Sequence, residues 1–306
     1  MQNKRSGIYL LLIIPPLLWA GNAVLARGIA EVIPPVTMSF WRWVLALIIL
    51  LPFTWRQTRR DLPEIRKNWK IIFLLGFFGI ASFNTLLYTA AHTTTALNIA
   101  LTQAVMPVII VIISFVIFRD KITKIQILAV ILCLSGSGYI IIQGDWHRFL
   151  QFKFVAGDLI MLLAVCFYAL YTVLLRQRPN IHPMSFLTAT FTVGVVLLLP
   201  LYLWERQTMP PLILTQPVVA SLLYVAFCPS ILAYLCWNRG IAEIGANYAG
   251  LYINLIPLFA SLLAVIFLNE RFQSYHLVGI VMIVSGLLMF NLRMLLGKNR
   301  VQTEDA

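Results

Sequence analysis

Charge is scarce in this 306-residue sequence: 11% of its residues are Asp, Glu, Lys or Arg, against roughly 25% in a soluble domain. Hydrophobic residues make up 60%, a balance that excludes an ordinary soluble protein. Acids are the scarcest class. Glu31, Asp61, Glu64, Asp120, Asp145, Glu205, Glu243, Glu270, Glu304 and Asp305 fall in loops or tails between apolar runs, and Asp158 lies only a few residues into one. No carboxylate stands at mid-run, where a proton relay or the counter-ion for an organic cation is expected. Cysteine is limited to Cys133, Cys166, Cys228 and Cys236, all in apolar stretches and without CxxC spacing, which excludes a disulfide framework and reads as small buried hydrophobes. HExxH, paired carboxylates within one run, Walker A and Gly-rich phosphate loops are all missing. An enzyme is therefore not expected, nor a cofactor or a bound metal.

What is present is a series of apolar runs, at about residues 7–26, 36–55, 71–91, 96–118, 125–143, 155–175, 184–204, 217–238, 246–268 and 275–295. Each is long enough to cross a bilayer roughly 30 Å thick, so the expected fold is an all-α integral membrane protein with ten transmembrane helices. The net charge of +12 does not call for a nucleic acid, because the basic residues segregate by side. With a cytoplasmic N-terminus, 17 of the 23 Lys and Arg fall on one face, among them Lys4, Arg5, Arg56, Arg59, Arg60, Arg119, Lys121, Arg176, Arg178 and Arg239. Five (Arg27, Arg148, Lys153, Arg206 and Arg271) fall on the other, and Arg42 lies within a span. The positive-inside rule then places both termini in the cytoplasm, and the expected location is a bacterial inner membrane.

Laid against itself at an offset of 150, the chain matches from Asn84–Ile142 to Tyr234–Leu292 without a gap. Pro107 falls on Pro257, Asp120-Lys121 on Glu270-Arg271, and Ser135-Gly136 on Ser285-Gly286. An offset of 149 lays Trp19–Arg27 on Tyr168–Arg176, and one of 148 lays Pro35 and Pro52 on Pro183 and Pro200. The expected units are five-span repeats at 7–143 and 155–296, followed by a cytoplasmic tail at 297–306. Five is odd, so the second unit must enter the bilayer from the opposite side. Inverted repeats are a common architecture of secondary transporters, where two pseudo-symmetric halves expose a central site to either face in turn.

The residues resemble the EamA-type unit of the drug/metabolite transporter superfamily, twice over, from about residue 7 to 296. The resemblance rests on Trp19-Ala20-Gly21-Asn22, Phe40-Trp41-Arg42, the run from Pro107 to Arg119-Asp120-Lys121, and in the second copy Asn238-Arg239-Gly240, Pro257 and Asn269-Glu270-Arg271. The loop before the last span of such units usually reads Gly-Glu-Arg; both copies keep acid followed by base. The resemblance implies a ten-helix secondary transporter of small metabolites with a cavity between the halves, surrounded by membrane lipid.

Polar side chains inside the spans are the candidate cavity lining. Asn84, Tyr88 and His92 recur at i, i+4 and i+8, which puts them on one helix face. Tyr234 and Asn238 align with Asn84 and Tyr88, so an amide and a phenol recur in swapped order. Trp19 and Asn22 in span 1 align with Tyr168 and Tyr171 in span 6; Asn98 and Gln103 come from span 4, and Tyr248 and Tyr252 from span 9. The alternative for such residues is interhelical hydrogen bonding. Amides and phenols without charge, beside flat indoles, suit a neutral or zwitterionic solute such as an amino acid. Arg42 has three readings: a substrate carboxylate, a cavity carbonyl, or a structural anchor that snorkels to the interface. For Trp41, Trp43, Trp55, Trp69, Trp204 and Trp237 the alternatives are an apolar cavity wall and an interfacial belt, the belt being expected for those near span ends.

Pro107 and Pro257, near the middles of spans 4 and 9, mark either hinges or static kinks, as do Pro15 and Pro16 in span 1. The expected function is secondary transport of a small amino-acid-like metabolite by alternating access, in the direction of export. Without a buried acid it would run uncoupled, or use His92 or Asp158 if protons are coupled. The rivals are a proton-coupled exporter of organic cations and a membrane receptor that does not transport. The oligomeric state is left open and is compatible with a monomer.

Overall fold

The computed structural model describes residues 2–29, 32–94, 96–150, 155–209, 212–268 and 273–296. All regular structure among them is helical. The first half consists of α1 (Gln2–Leu11), α2 (Ile14–Ile29), α3 (Pro35–Lys67), α4 (Trp69–Leu75), α5 (Phe83–Ala91), α6 (Ala96–Ala104), α7 (Met106–Phe118) and α8 (Lys124–Ile141). After a short α9 (Trp146–Leu150) the second half contributes α10 (Ala156–Leu174), α11 (Pro183–Thr208), α12 (Gln216–Ala226), α13 (Ala233–Ile244), α14 (Ala246–Gly250), α15 (Leu255–Leu268) and α16 (Ser274–Leu296). Eight helical stretches among the described residues are long and apolar enough to cross a membrane, and two shorter apolar helices, Gly7–Asn22 and Ser274–Phe290, stand near the two ends of the chain. The Asn269-Glu270-Arg271 loop, Glu31, Lys153 and the expected tail at 297–306 lie outside the described residues.

Pro15, Pro16, Pro107 and Pro257 stand at the starts of helices, whereas Pro52, Pro63 and Pro200 lie inside them. Leu12 and Ile13 separate α1 from α2, whose first turn holds Pro15 and Pro16. Val105 separates α6 from α7, whose second residue is Pro107, and a 3-10 turn at Leu251–Asn254 precedes α15, whose third residue is Pro257. A helix start tolerates proline because the missing N–H has no partner there anyway. Backbone acceptors freed by such a break are met from neighbouring helices, as where Ser137 Oγ donates to the Asn254 carbonyl at 3.2 Å.

Two π-helical turns interrupt the third and eighth apolar stretches, at Gly76–Ser82 and Phe227–Leu232. Under the 150-residue offset they coincide, Gly79 falling on Pro229. Matching helices also pack against each other. Near the start of α3, Thr37 meets Glu205 at the end of α11, while Asp61 near the end of α3 meets His182 at the start of α11, so the pair is antiparallel. In the α8/α16 pair a Cβ added to Gly136 would lie 2.9 Å from the Gly279 carbonyl, and one added to Gly279 would lie 2.9 Å from the Gly136 carbonyl. Gly286 stands equally close to the Ala129 carbonyl. Because 129 and 136 correspond to 279 and 286, the contact is reciprocal, like that of an isologous dimer folded into one chain.

Three expectations need correction. The second apolar run is read to end near residue 55, but α3 continues to Lys67, so Arg56, Arg59, Arg60 and Arg66 project from helix. Trp43 and Trp237 are wholly buried: each stands inside its helix against other aromatic rings, whereas Trp55, Trp69 and Trp204 are exposed, as a belt requires. Glu205 is not in a loop. It is buried in the last turns of α11.

Candidate substrate-binding site

The centre of the molecule is an aromatic cluster with one buried cation on its flank. Arg42, in the second turn of α3, is 1% exposed. Its Nε donates to Ser230 Oγ at 2.6 Å, Nη1 to Asn84 Oδ1 at 2.8 Å and to Tyr88 Oη at 2.9 Å, and Nη2 to the Pro229 carbonyl at 3.2 Å. Asn22 Oδ1 stands 3.5 Å from Nη1, and the guanidinium lies over the Trp43 ring, 4.8 Å from its centroid. Every one of these partners is neutral, and none of the ion pairs among the described residues includes Arg42. A buried cation with only neutral acceptors has lost its water without gaining a counter-charge.

Around Arg42 the two halves repeat a motif with donor and acceptor exchanged. In the first, Tyr88 on α5 donates to Asn22 Oδ1 on α2 at 3.2 Å. In the second, Tyr171 on α10 donates to Asn238 Oδ1 on α13 at 2.7 Å. Tyr171 aligns with Asn22 and Asn238 with Tyr88, so each phenol–amide bond is kept while its residue types swap ends. The π turns take part in the same way. The Gly79 carbonyl accepts from Tyr234 Oη at 2.6 Å, and the matching Pro229 carbonyl accepts from Arg42 and from Trp19 Nε1, the latter at 3.1 Å. A π turn widens the helix and turns carbonyls away from its axis, which is why such turns recur at functional sites. Gly79 must stay small, because an added Cβ would overlap the Tyr171 ring.

Trp19 meets Tyr168, Trp237 and Tyr234 edge to face, with centroid separations of 5.6, 5.2 and 6.3 Å. Asn84 and Tyr168 interact with the Tyr234 hydroxyl, while Asn238 Nδ2 is buried with no hydrogen-bond partner among the described residues. A cavity of about 30 Å³ lies between Trp19, Asn22, Asn84, Gln103 and Tyr168. It has room for one or two waters, so a metabolite enters only if the helices part.

A second cavity, of about 610 Å³, opens at the face carrying Asp120 and Arg176. Arg176 pairs with Asp120 at 3.1 Å across its wall. Arg178 donates to the Asn238 carbonyl at 3.2 Å, linking this vestibule to the inner half-motif. Arg178 lies just past its span, and burial draws its guanidinium below the usual arginine range. A third cavity, of about 440 Å³, is mostly apolar and lies near the opposite ends of α3 and α11, between Thr37, Trp41, Tyr202, Arg206 and Leu222.

Of the residues expected to form the lining, Trp19, Asn22, Arg42, Asn84, Tyr88, Tyr168, Tyr171, Tyr234 and Asn238 come together here, and Gln103 reaches the inner cavity. Tyr248 lines the vestibule, with Gln126 Nε2 3.5 Å from its hydroxyl. Tyr252 is buried in the 3-10 turn before α15. Two residues stand apart. His92 follows the end of α5 and is exposed in the turn, because the helix stops before the i+8 position. Asn98 donates instead to Asp158 at 3.0 Å. Asp158 also accepts from Thr94 Oγ1 at 2.5 Å and from the Val155 N–H at 2.8 Å, which makes it a cap at the start of α10. Ser230 and the Pro229 carbonyl were not foreseen; a proline followed by serine within an apolar run, aligned with Gly79, was the available signal.

The EamA-like transporter family matches residues 6–142 and again residues 155–292. The uncharacterized transporter YyaM of Bacillus subtilis is 29% identical, over 93% of this chain and 93% of its own. The protein PecM of Dickeya dadantii is 28% identical over 90% and 89% of the two chains. A probable terminal-alkyne amino-acid exporter of Streptantibioticus cattleyicolor is 25% identical over 80% and 78%. A solved crystal structure superposes with a TM-score of 0.76 at 16% identity, covering 94% of this chain and 97% of that one, which shows a common fold.

Proposed function

The chain belongs to the EamA-like transporter family, and from that premise we propose that it carries a small zwitterionic, amino-acid-like metabolite by alternating access between two inverted five-helix halves. The observation that carries the substrate reading is the buried Arg42, which holds five neutral contacts and no carboxylate. A guanidinium fork holds a carboxylate in two parallel bonds once Arg42 exchanges some of its bonds to Ser230, Asn84, Tyr88 and the Pro229 carbonyl for the substrate. The substrate's ammonium meets π faces and amide oxygens, not an acid. Trp19, Tyr168, Tyr234 and Trp237 supply the wall for an apolar side chain.

Inversion is supported by the antiparallel packing of matched helices and by the odd number of spans per copy. The charge distribution supports placing the Asp120/Arg176 vestibule in the cytoplasm. The wider of the two end cavities then faces inward and the narrower, mostly apolar one outward, with a nearly closed centre between them. One relative is named as a probable amino-acid exporter, and export by exchange or facilitated diffusion fits the position of Asp158, fully engaged as a helix cap. An organic-cation substrate is disfavoured, since Arg42 would repel it.

The test is counterflow in proteoliposomes: unlabelled amino acids inside, labelled counterparts outside, with and without a pH gradient. Saturable entry without the gradient is expected. A strict requirement for the gradient would overturn the uncoupled mechanism, and the absence of exchange for every amino acid would overturn the substrate class.

A further inference from the structure

The matched helices α3 and α11 are tied to each other at both ends by carboxylates, and the two ties are unequal. At one end Glu205, buried in α11, accepts from the Val36 N–H at 3.0 Å, the Thr37 N–H at 2.6 Å and Thr37 Oγ1 at 2.8 Å. These are donors of the first turn of α3, which has no intrahelical acceptor for them and whose preceding Pro34 offers no capping side chain. Glu205 thus supplies, from 168 residues away, the cap that the local sequence lacks. The positive end of the helix is its only counter-charge, since no ion pair among the described residues includes it. At the other end Asp61 of α3 accepts the His182 N–H at 3.2 Å, where both partners face solvent, and interacts with the Ser185 hydroxyl of α11. The drier tie stands beside the outer cavity, whose wall includes Thr37, and the wet one beside the vestibule, whose wall includes the neighbouring Asn180 and Ile181.

We infer that Glu205 is a positioning residue of the carrier: it latches the first turn of α3, and with it Arg42, against α11, and must release that turn before the central site opens to the outer face. This rests on the alternating-access reading above. Arg42 lies five residues beyond Thr37, about 7.5 Å along a continuous helix, so a displacement of the first turn is transmitted to the guanidinium. Opening outward must exchange three charge-assisted bonds, two of them buried, for water. The strength of the Glu205 tie therefore sets how rarely the outer face opens.

The test follows thiol accessibility in the full chain in sealed vesicles. Ser39→Cys places a thiol at a wholly buried position two residues past Thr37, and Asn180→Cys places one in the vestibule wall; the chain without either change controls for the native cysteines. Glu205→Gln keeps the shape of the side chain but sets an amide donor against N–H donors. Labelling of Ser39→Cys from the outer face is expected to rise roughly tenfold to a hundredfold, while labelling of Asn180→Cys from the vestibule side does not rise. A rise at both sites would be general loosening and would overturn the latch, as would no rise at Ser39→Cys. Glu205→Asp keeps the charge on a shorter arm and should fall between; if the glutamine variant does not fold, an aspartate variant labelling no faster than the parent chain overturns the inference. Labelling does not depend on flux. A parent chain that fails to exchange any solute contradicts the carrier reading, whereas exchange with unchanged labelling contradicts the latch alone.

Discussion

Replacing Arg42 by methionine separates a substrate anchor from a structural one. Methionine keeps much of the length and removes the charge. Of the acceptors left behind, Ser230 keeps its bond to the Val225 carbonyl, Asn22 Oδ1 keeps Tyr88 Oη, and the Pro229 carbonyl keeps the Trp19 indole. Only Asn84 Oδ1 loses its sole protein partner, which costs about 1–3 kcal/mol. Against this stands relief from burying an uncompensated cation, a penalty of several kcal/mol in its own right. The net change in stability is therefore expected within about 2 kcal/mol of the parent, read as denaturant unfolding in detergent. Substrate affinity has no such relief. Losing one partner of a desolvated charge pair costs about 2–5 kcal/mol, so the half-saturation concentration in counterflow should rise by about thirtyfold to several thousandfold. Arg42→Lys keeps the charge but not the planar fork and should fall between. Near-parental half-saturation in Arg42→Met would refute the anchor. Loss of folded protein in that variant would refute the energetic argument instead.

Tyr171→Phe removes the hydroxyl that satisfies Asn238 Oδ1, whereas Tyr88→Phe leaves Asn22 Oδ1 within reach of Arg42; Tyr171→Phe should be the more destabilising, by about 1–3 kcal/mol, and both should lower flux. Gly136→Ala puts a methyl against the Gly279 carbonyl and Met282, so unfolding should come about 1–3 kcal/mol earlier; an unchanged midpoint would contradict the close seam. Arg176→Gln removes an ion pair whose arginine side chain is 60% exposed and should change stability by less than about 1 kcal/mol. Asp158→Asn should leave the pH profile of exchange unchanged while weakening the α10 cap by about 1 kcal/mol; a flattened profile would make Asp158 the proton carrier that its three hydrogen bonds argue against.

The central site was legible because its chemistry is local or repeats. Asn84 and Tyr88 share a face by helical spacing, and the offset alignment pairs them with Tyr234 and Asn238. What alignment could not supply was the partner of each group. The phenol–amide bonds join Tyr88 to Asn22 and Tyr171 to Asn238, across 66 and 67 residues, and no periodicity encodes such a contact. His92 failed because a face argument assumes that the helix continues, and α5 ends one residue before it. For Trp43 the choice between belt and interior stayed open because hydropathy locates a run but not which of its faces packs against other helices; the indole is buried against Phe191 and Tyr234. Glu205 was invisible as a cap because its ligands are backbone N–H groups, which every residue but proline possesses. The π turns likewise have no dependable sequence signature beyond glycine and proline at matched positions.

The claim that a substrate carboxylate completes the Arg42 site is tested most directly by competition with a matched pair. Labelled substrate is exchanged into proteoliposomes against increasing concentrations of an unlabelled transported amino acid or of its carboxamide, which differs only in lacking the anionic carboxylate. The amino acid is predicted to compete and the carboxamide to be weaker by thirtyfold or more, about the value of one buried charged pair, with that preference lost in Arg42→Met. Equal competition by the two compounds in the parent chain would contradict the account.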